Sequence, residues 1–265
     1  MAVNQLESAA VVVAMRGVWR EFPVRTGKRT LYAFTRDWFA GKRGSEAPRV
    51  ALNDVSLTAC RGDKLALIGN NAAGKSTMLK IIAGLLRPTR GSVETVGDMV
   101  LLTSLGVGMM DDVSVLENTL LYGALYGVEP RRMQLAFDDI TEWAGMTGYE
   151  DAKLKTLSSG MRARLAFSIV RHIATDLFLI DEALSAGDVS FRVRCRAFFD
   201  EPQNRDRTFI VATHDMDFVR SFCTSALWLD QGRIMASGDS RIVAARYEEA
   251  QARRGGNIAQ SAALR

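Results

Sequence analysis

Histidine and cysteine are scarce in this chain of 265 residues: His172 and His214 are the only imidazoles, and Cys60, Cys195 and Cys223 the only thiols. The cysteines lie far apart and make no CxxC pair. So odd and sparse a set argues against a zinc site or a disulfide framework and fits reduced thiols in a cytoplasm. Two histidines leave little from which to build an imidazole metal centre. Long apolar runs are missing too: none approaches the roughly 20 residues that span a bilayer as a helix. Met1–Met15 has no basic leader, so its apolar stretch Ala9–Met15 reads as a strand and not as a signal peptide. The chain is therefore expected in the cytosol, or at a membrane through a partner.

What is present is ordinary for a globular protein, with 48% hydrophobic and 24% charged residues. The length fits one large domain, or one domain with a smaller lobe, and buries a sizeable core. The net charge of +4 is uneven: the first 50 residues hold nine basic and four acidic side chains, so the remainder sums to −1. That basic lobe is either a solvated surface or a face for anionic headgroups or nucleic acid, and charge alone does not choose.

Val11–Ala14 and the segment through Trp19–Val24 read as the two strands of a hairpin. Thr26–Val50 is basic and aromatic-rich, with Leu31, Phe34, Trp38 and Phe39 at helical spacing and Gly41 and Gly44 closing the element. Val50–Leu57 alternates like a strand, and Asp63–Ile68 is a short apolar strand running into Gly69. Met78–Leu86 is expected to be a helix ended by Pro88 and Gly91. The stretch from about Val113 to Arg171 is mostly helical in pattern. Buried-type strands follow at Leu177–Ile180 and Phe209–Thr213, and Ala226–Leu229 with Arg233–Ala236 make a hairpin about Gln231-Gly232. A last helix, about Arg241–Arg253, is expected to stop at Gly255-Gly256 before a disordered end. Apolar strands alternating with helices indicate an α/β sheet, with a helical insert between its first and later core strands.

The strongest motif is Gly69-Asn70-Asn71-Ala72-Ala73-Gly74-Lys75-Ser76-Thr77. It satisfies G-x-x-x-x-G-K-[ST] and lies between a strand and a helix, the context that gives the pattern meaning. Successive backbone N–H groups there curl into an anion nest, and the positive end of the helix points at the same place. Lys75 then reaches the β- and γ-phosphates of a nucleotide, and the Ser76 hydroxyl holds Mg²⁺. Ala72 stands where such loops often carry glycine; a left-handed backbone there costs alanine about 1–2 kcal/mol. Downstream, Asp176–Glu182 is a hydrophobic strand ending in two carboxylates, Asp181 suited to the Mg²⁺ shell and Glu182 to polarising a water. Leu157-Ser158-Ser159-Gly160-Met161 opens the helix Arg162–Arg171 with Ser158 as N-cap, a second anion site at a helix mouth.

Taken together these segments resemble the ATP-binding cassette family over roughly residues 11–240. Ser158, Ser159 and Gly160 resemble its signature loop, which in that family closes over the γ-phosphate held by a second subunit. Ser185-Ala186-Gly187-Asp188 resembles the D-loop, and His214, after its strand, the switch histidine. The stretches SSGMRARLAFS, DEALSAGD and ATHDMDFVRSFCTSALWLDQGRI are similar to the ATPases that export capsule, O-antigen and teichoic-acid polymers across bacterial inner membranes. Members of that subfamily carry an insert ahead of the phosphate loop, similar to the aromatic element at Leu31–Phe39. Some carry a carbohydrate-binding domain after the cassette, and this chain, ending at Arg265, is expected to lack one. One departure is plain: the glutamine expected near Met109–Asp112 is missing from Leu105–Gly127, leaving Asp111 and Asp112 as weak substitutes. Ser159 also replaces the commoner glycine.

The resemblance implies an α/β fold: a RecA-like P-loop NTPase core with an antiparallel β subdomain and an inserted α-helical subdomain. The cassette spans 11–240, with the aromatic and basic insert at 26–50, the helical subdomain at about 105–171 and a helical tail at 241–265. It further implies ATP and Mg²⁺ as ligands, with Gly69–Thr77 on the phosphates and Phe22 stacking on adenine, Trp19 and Tyr32 being rivals. Lys75, Glu182 and His214 are the expected catalytic set, Ser76 and Asp181 the metal holders, Asp181 through water, and Asp188 a builder of the opposite site across the dimer. The implied partners are a second copy, head to tail, and an integral-membrane permease that handles the lipid-linked polysaccharide, at the cytoplasmic face of the inner membrane. Two rival readings are a cassette serving another substrate and a soluble cassette acting on nucleic acid or ribosomes. The latter usually has two cassettes or a long coiled-coil insert, and neither is seen, so no nucleic-acid partner is expected. If Leu31–Arg43 lies along the membrane surface, deleting Thr30–Arg43 abolishes polymer export in cells; normal export after the deletion contradicts that placement and leaves the element as packing on the sheet.

Overall fold

A computed structural model of the chain describes residues 10–23, 48–103, 105–182 and 189–263. The aromatic insert at Leu31–Phe39, Tyr32 and the segment Ser185–Asp188 lie outside the described residues.

The chain opens with one long strand, β1 (Val11–Phe22), where a hairpin was expected. Gly17 has the positive φ of a turn glycine, but its N–H donates to Ser56 Oγ at 2.9 Å and the strand continues past an irregularity in register. A glycine inside a strand pattern here marks a bulge, not a reversal. β2 (Arg49–Cys60) pairs antiparallel with β1 along its whole length. β3 (Lys64–Ile68) then leads into the phosphate loop, and α1 runs Lys75–Ile82, earlier than the Met78–Leu86 expected. β4 (Arg90–Thr95) completes a three-stranded antiparallel sheet in the order β2-β1-β4. β5 (Met99–Leu102) starts the second sheet; neither β4 nor β5 was anticipated.

The helical region follows as α2 (Val115–Leu125), α3 (Pro130–Leu135), α4 (Phe137–Ala144), a 3₁₀ turn at Leu154–Thr156 and α5 (Ser159–Val170). β6 (Leu177–Asp181), α6 (Val189–Asp200), a 3₁₀ turn at Pro202–Asn204, β7 (Thr208–Ala212), α7 (Met216–Phe222), β8 (Ser225–Asp230) and β9 (Arg233–Asp239) return the chain to the sheet. α8 (Ser240–Ala263) ends it, running through Gly255-Gly256 where a stop and a disordered end were expected. Glycine costs a helix only about 1 kcal/mol relative to alanine, and the alanine-rich stretch beyond favours continuation.

The second sheet has the order β5-β6-β7-β3-β8-β9, parallel except for the β8–β9 hairpin. Its central strands are buried on both faces, which is why they read as apolar runs without polar alternation. Side chains still alternate in destination. Leu65, Leu67, Leu177, Leu179 and Ile210 join Met78, Leu79 and Ile82 of α1 and the inner face of the small sheet in one core. Ala66, Ile68, Phe178, Ile180, Phe209 and Val211 point the other way, into a core shared with the helical region. α1 is thus clamped between two sheets.

The second core is unusually aromatic. Phe178 and Phe209 stack from adjacent strands at 5.2 Å, Phe198 and Phe199 of α6 meet them edge-on, and Phe167 of α5 lies 5.6 Å from Trp143 of α4. Such offset and edge contacts add to area burial and weld the helical insert to the strands that carry the carboxylates. The start of α2 is held by a reciprocal capping box between Ser114 and Glu117. Fully buried Asn118 accepts from Met110 N at 2.7 Å and donates to the carbonyls of Met110, Val113 and Ser114, so one side chain shapes the loop 109–114. Asn118→Ala leaves those buried groups unpaired and is expected to destabilise the chain by about 2–3 kcal/mol, measured by denaturant unfolding; a change within about 0.5 kcal/mol contradicts the role.

Candidate active site

Two strand ends of the parallel sheet meet at one cavity of about 530 Å³, with a third beside them. β3 delivers the glycine loop, β6 delivers Asp181 and Glu182, and β7 leads to His214. Carboxyl ends of parallel strands are where α/β sheets collect ligands, because the loops and helix mouths open there. The walls include Asn71–Thr77, Asp181, Glu182, Phe22, Arg49, Ala51 and Thr103.

The loop can wind only because two positions lack a Cβ. One built on Gly69 would stand 2.1 Å from the Leu229 carbonyl oxygen, and one on Gly74 would stand 2.6 Å from that of Ala51. The Ala73 N–H returns to the Asn70 carbonyl at 3.1 Å, closing the turn. Gly74 is the N-cap of α1, with no side-chain cap and no acidic residue in the first turn, so the positive end of the helix is left to a ligand. Ala72 has φ of 62°, so the left-handed conformation that is costly for alanine is adopted.

Lys75 is 5% exposed, and its Nζ donates to the carbonyls of Gly69 at 2.6 Å and Asn70 at 3.3 Å. The ammonium is also 3.2 Å from His214 Nε2 and 3.7 Å from Glu182 Oε1, and these last two groups meet at 2.8 Å. Burial holds the Lys75 pKa below the ordinary lysine value, and the negative charges of Glu182 and Asp181 oppose that fall. The structure therefore brings Lys75, Glu182 and His214 into one cluster, although His214 is not among the residues lining the cavity. Glu182 has φ of 55°, a strained value for a residue that is not glycine, and its N–H is bonded to the Ala212 carbonyl at 3.0 Å. Such strain is held at functional positions when the surroundings over-determine it.

The fit to a magnesium nucleotide is good on chemical grounds. Ser76 and Asp181 both face the cavity and offer hard oxygen ligands, and a helix mouth with a buried ammonium suits a triphosphate. Among the described residues no group of three or more His, Cys, Asp or Glu could hold a metal without such a ligand. Phe22, at the end of β1, lines the cavity, with the Arg20 guanidinium 4.5 Å above its ring; Trp19 does not line it and lies under Arg90 instead.

Other expected residues sit elsewhere. Ser158 caps α5 by accepting from Met161 N at 3.2 Å, with Ser159 and Gly160 in the first turn, and none of the three lines the cavity. Asp111 pairs with Arg162 at 2.5 Å and Asp112 with Lys155 at 2.6 Å, so both brace the helical region and neither lines the cavity. The polar residue that does face it from this part of the chain is Thr103, directly after β5, whose Leu102 is paired with Ile180 just before Asp181. Arg49 and Thr103 were missed because sheet register, not local sequence, carries them there. Ala72→Gly relieves the left-handed alanine and is expected to stabilise the chain by about 1 kcal/mol, or ~3 °C in Tm, with tighter nucleotide binding; a lowered Tm contradicts the strain.

Residues 52–185 match the sequence pattern of the ABC transporter family. The chain is 31% identical over 245 residues to the O-antigen export system ATP-binding protein RfbB of Klebsiella pneumoniae, covering 91% of this chain and 99% of that protein. It is 34% identical over 199 residues to the teichoic acids export ATP-binding protein TagH of Bacillus anthracis, covering 75% of this chain but 36% of the longer relative. Among solved structures, a dimeric ATP-binding cassette in a post-hydrolysis state with ADP and Pi superposes with a TM-score of 0.67 at 19% identity, covering 86% of this chain and 99% of that one. The fold is that of the P-loop cassette ATPases, and the chain belongs to the ABC transporter family.

Proposed function

We propose that the chain is the ATP-hydrolysing subunit of an exporter of lipid-linked polysaccharide. The single observation that carries the catalytic reading is the cluster of Lys75, Glu182 and His214 at the mouth of the glycine loop, all within 3.7 Å of one another. Lys75 leaves its loop carbonyls to bind the β- and γ-phosphates, which add negative charge beside the buried ammonium. Glu182 Oε1, the hydrogen-bond partner of His214, orients water and accepts its proton; His214 then contacts the γ-phosphate. Ser76 and Asp181 would hold Mg²⁺, which would supply positive charge to the phosphate oxygens. Phe22 stacks on adenine.

Ser158, Ser159 and Gly160 stand at the start of a helix and none of them lines this chain's own phosphate-loop cavity, which fits their acting on the nucleotide of a second copy. Asp188 serves the same interface. ATP closes a head-to-tail pair and hydrolysis reopens it; a solved cassette of the same fold is dimeric. Among the described residues no helix is long and apolar enough to cross a membrane, so transport requires a permease subunit. Its cytoplasmic helix docks on the helical region around Met109–Gly127, where Val107, Met110, Leu121 and Leu125 are exposed. The polymer substrate is supported by the names of the O-antigen and teichoic-acid relatives, and the site of action is the cytoplasmic face of the inner membrane.

Glu182→Gln is expected to keep ATP binding, to lower turnover about 100-fold or more, and to trap an ATP-bound dimer on gel filtration. Undiminished hydrolysis in that variant contradicts the assignment of Glu182. Co-purification with a six-helix permease and stimulation of ATPase activity by a lipid-linked glycan test the substrate; stimulation by DNA or ribosomes instead defeats it.

A further inference from the structure

The phosphate loop is fastened from the far end of the chain. Asn70, its second residue, is reached by two side chains of α8. Tyr247 donates its hydroxyl to Asn70 Oδ1 at 3.2 Å, and Gln251 donates Nε2 to the same oxygen at 2.5 Å. The two donors stand at i and i+4, one above the other on a single helix face. Asn70 is itself structural within the loop: its carbonyl accepts from Ala73 N and from Lys75 Nζ. A continuous path of hydrogen bonds therefore joins the last helix to the ammonium that meets the phosphates.

α8 is well placed to hold a fixed position. Val243 and Ala244 are buried, and the Tyr247 ring lies edge-on to Trp228 of β8 with centroids 5.7 Å apart. Arg254 pairs with Asp230 at 2.6 Å, at the end of the same strand. The helix is thus tied to the sheet on both sides of the residues that reach Asn70. Neither Tyr247 nor Gln251 lines the cavity, so neither is placed to touch a nucleotide.

We propose that Tyr247 and Gln251 are positioning residues, which hold Asn70 so that the loop presents its amides and Lys75 to triphosphate already ordered. The proposal rests on the reading of Gly69–Thr77 as the triphosphate loop. A loop fixed before binding loses less freedom when the ligand arrives, so the clamp acts on affinity. It leaves the chemical step alone, because Glu182 and His214 stand on other strand ends. Coupling of this kind is reciprocal: nucleotide in the loop must also strengthen the docking of α8.

The test uses the full chain with ATP and Mg²⁺. In the pair Tyr247→Phe and Gln251→Ala, Kd and KM for ATP are expected to rise about three- to tenfold, with kcat unchanged. Tyr247→Phe keeps the ring against Trp228, so it separates the hydroxyl's effect from loss of packing. Adding the pair to Asn70→Ala should weaken binding no further than Asn70→Ala alone, because all three act through one contact. ATP should slow hydrogen exchange of the amides around Tyr247 and Gln251 in wild type but not in Asn70→Ala. Unchanged Kd in the pair, or losses that add to that of Asn70→Ala, overturns the proposal. Failure of the folded wild type to bind ATP at all would instead defeat the reading of the loop.

Discussion

A buried ammonium, held by the carbonyls of its own loop and paired with Glu182, organises this molecule. Lys75 sits almost wholly out of water, held by two main-chain carbonyls of its own loop, with Glu182 at 3.7 Å. Burying a cation is costly unless it is paired and hydrogen-bonded, and the loop meets that cost only in part. In the proposed function a triphosphate adds further negative charge beside this ammonium. The requirement for carbonyls at these positions in turn dictates the backbone path, and that path is open only to glycine at residues 69 and 74.

The rest of the fold serves to keep this arrangement in register with the carboxylates. α1 is locked between two sheets, and β3 lies beside β7, which lies beside β6, so the loop, His214 and Glu182 issue from three strands in one parallel block. Behind them the phenylalanine cluster ties β6 and β7 to α4, α5 and α6. Since Ser158 caps α5, the element proposed to meet a neighbour's nucleotide and the strands that lead to Glu182 and His214 share one core. The proposed opening and closing of a dimer would couple both sites through that core.

Contiguous chemistry was readable from sequence; chemistry assembled by sheet register was not. The phosphate loop, the strand ending in Asp181-Glu182 and the capping serine at Ser158 are local patterns, each with its spacing and flanks in plain view. The place of Ala72, where such loops often carry glycine, raised the question that its left-handed backbone answers. β4 escaped because Arg90–Thr95 is polar and mostly exposed, carrying no alternation to detect. The hairpin expected over Val11–Val24 is instead one strand to Phe22, whose irregularity at Gly17 is held by Ser56, 39 residues away. Thr103 and Arg49 reach the cavity through pairing of distant strands, while Asp111 and Asp112, nearer in sequence to the expected position, are drawn off by Lys155 and Arg162. The Gly255-Gly256 pair was overvalued as a stop, since glycine weakens a helix without forbidding it.

The central claim is that Lys75 and its loop are a triphosphate receptor, and calorimetric titration of ATP into the folded chain tests it most directly, with Mg²⁺ and with chelator, for wild type and Lys75→Ala. Saturable binding that needs Mg²⁺ and weakens at least about tenfold without the ammonium is the predicted result. Affinity indifferent to Lys75, or none in the intact wild type, would contradict it.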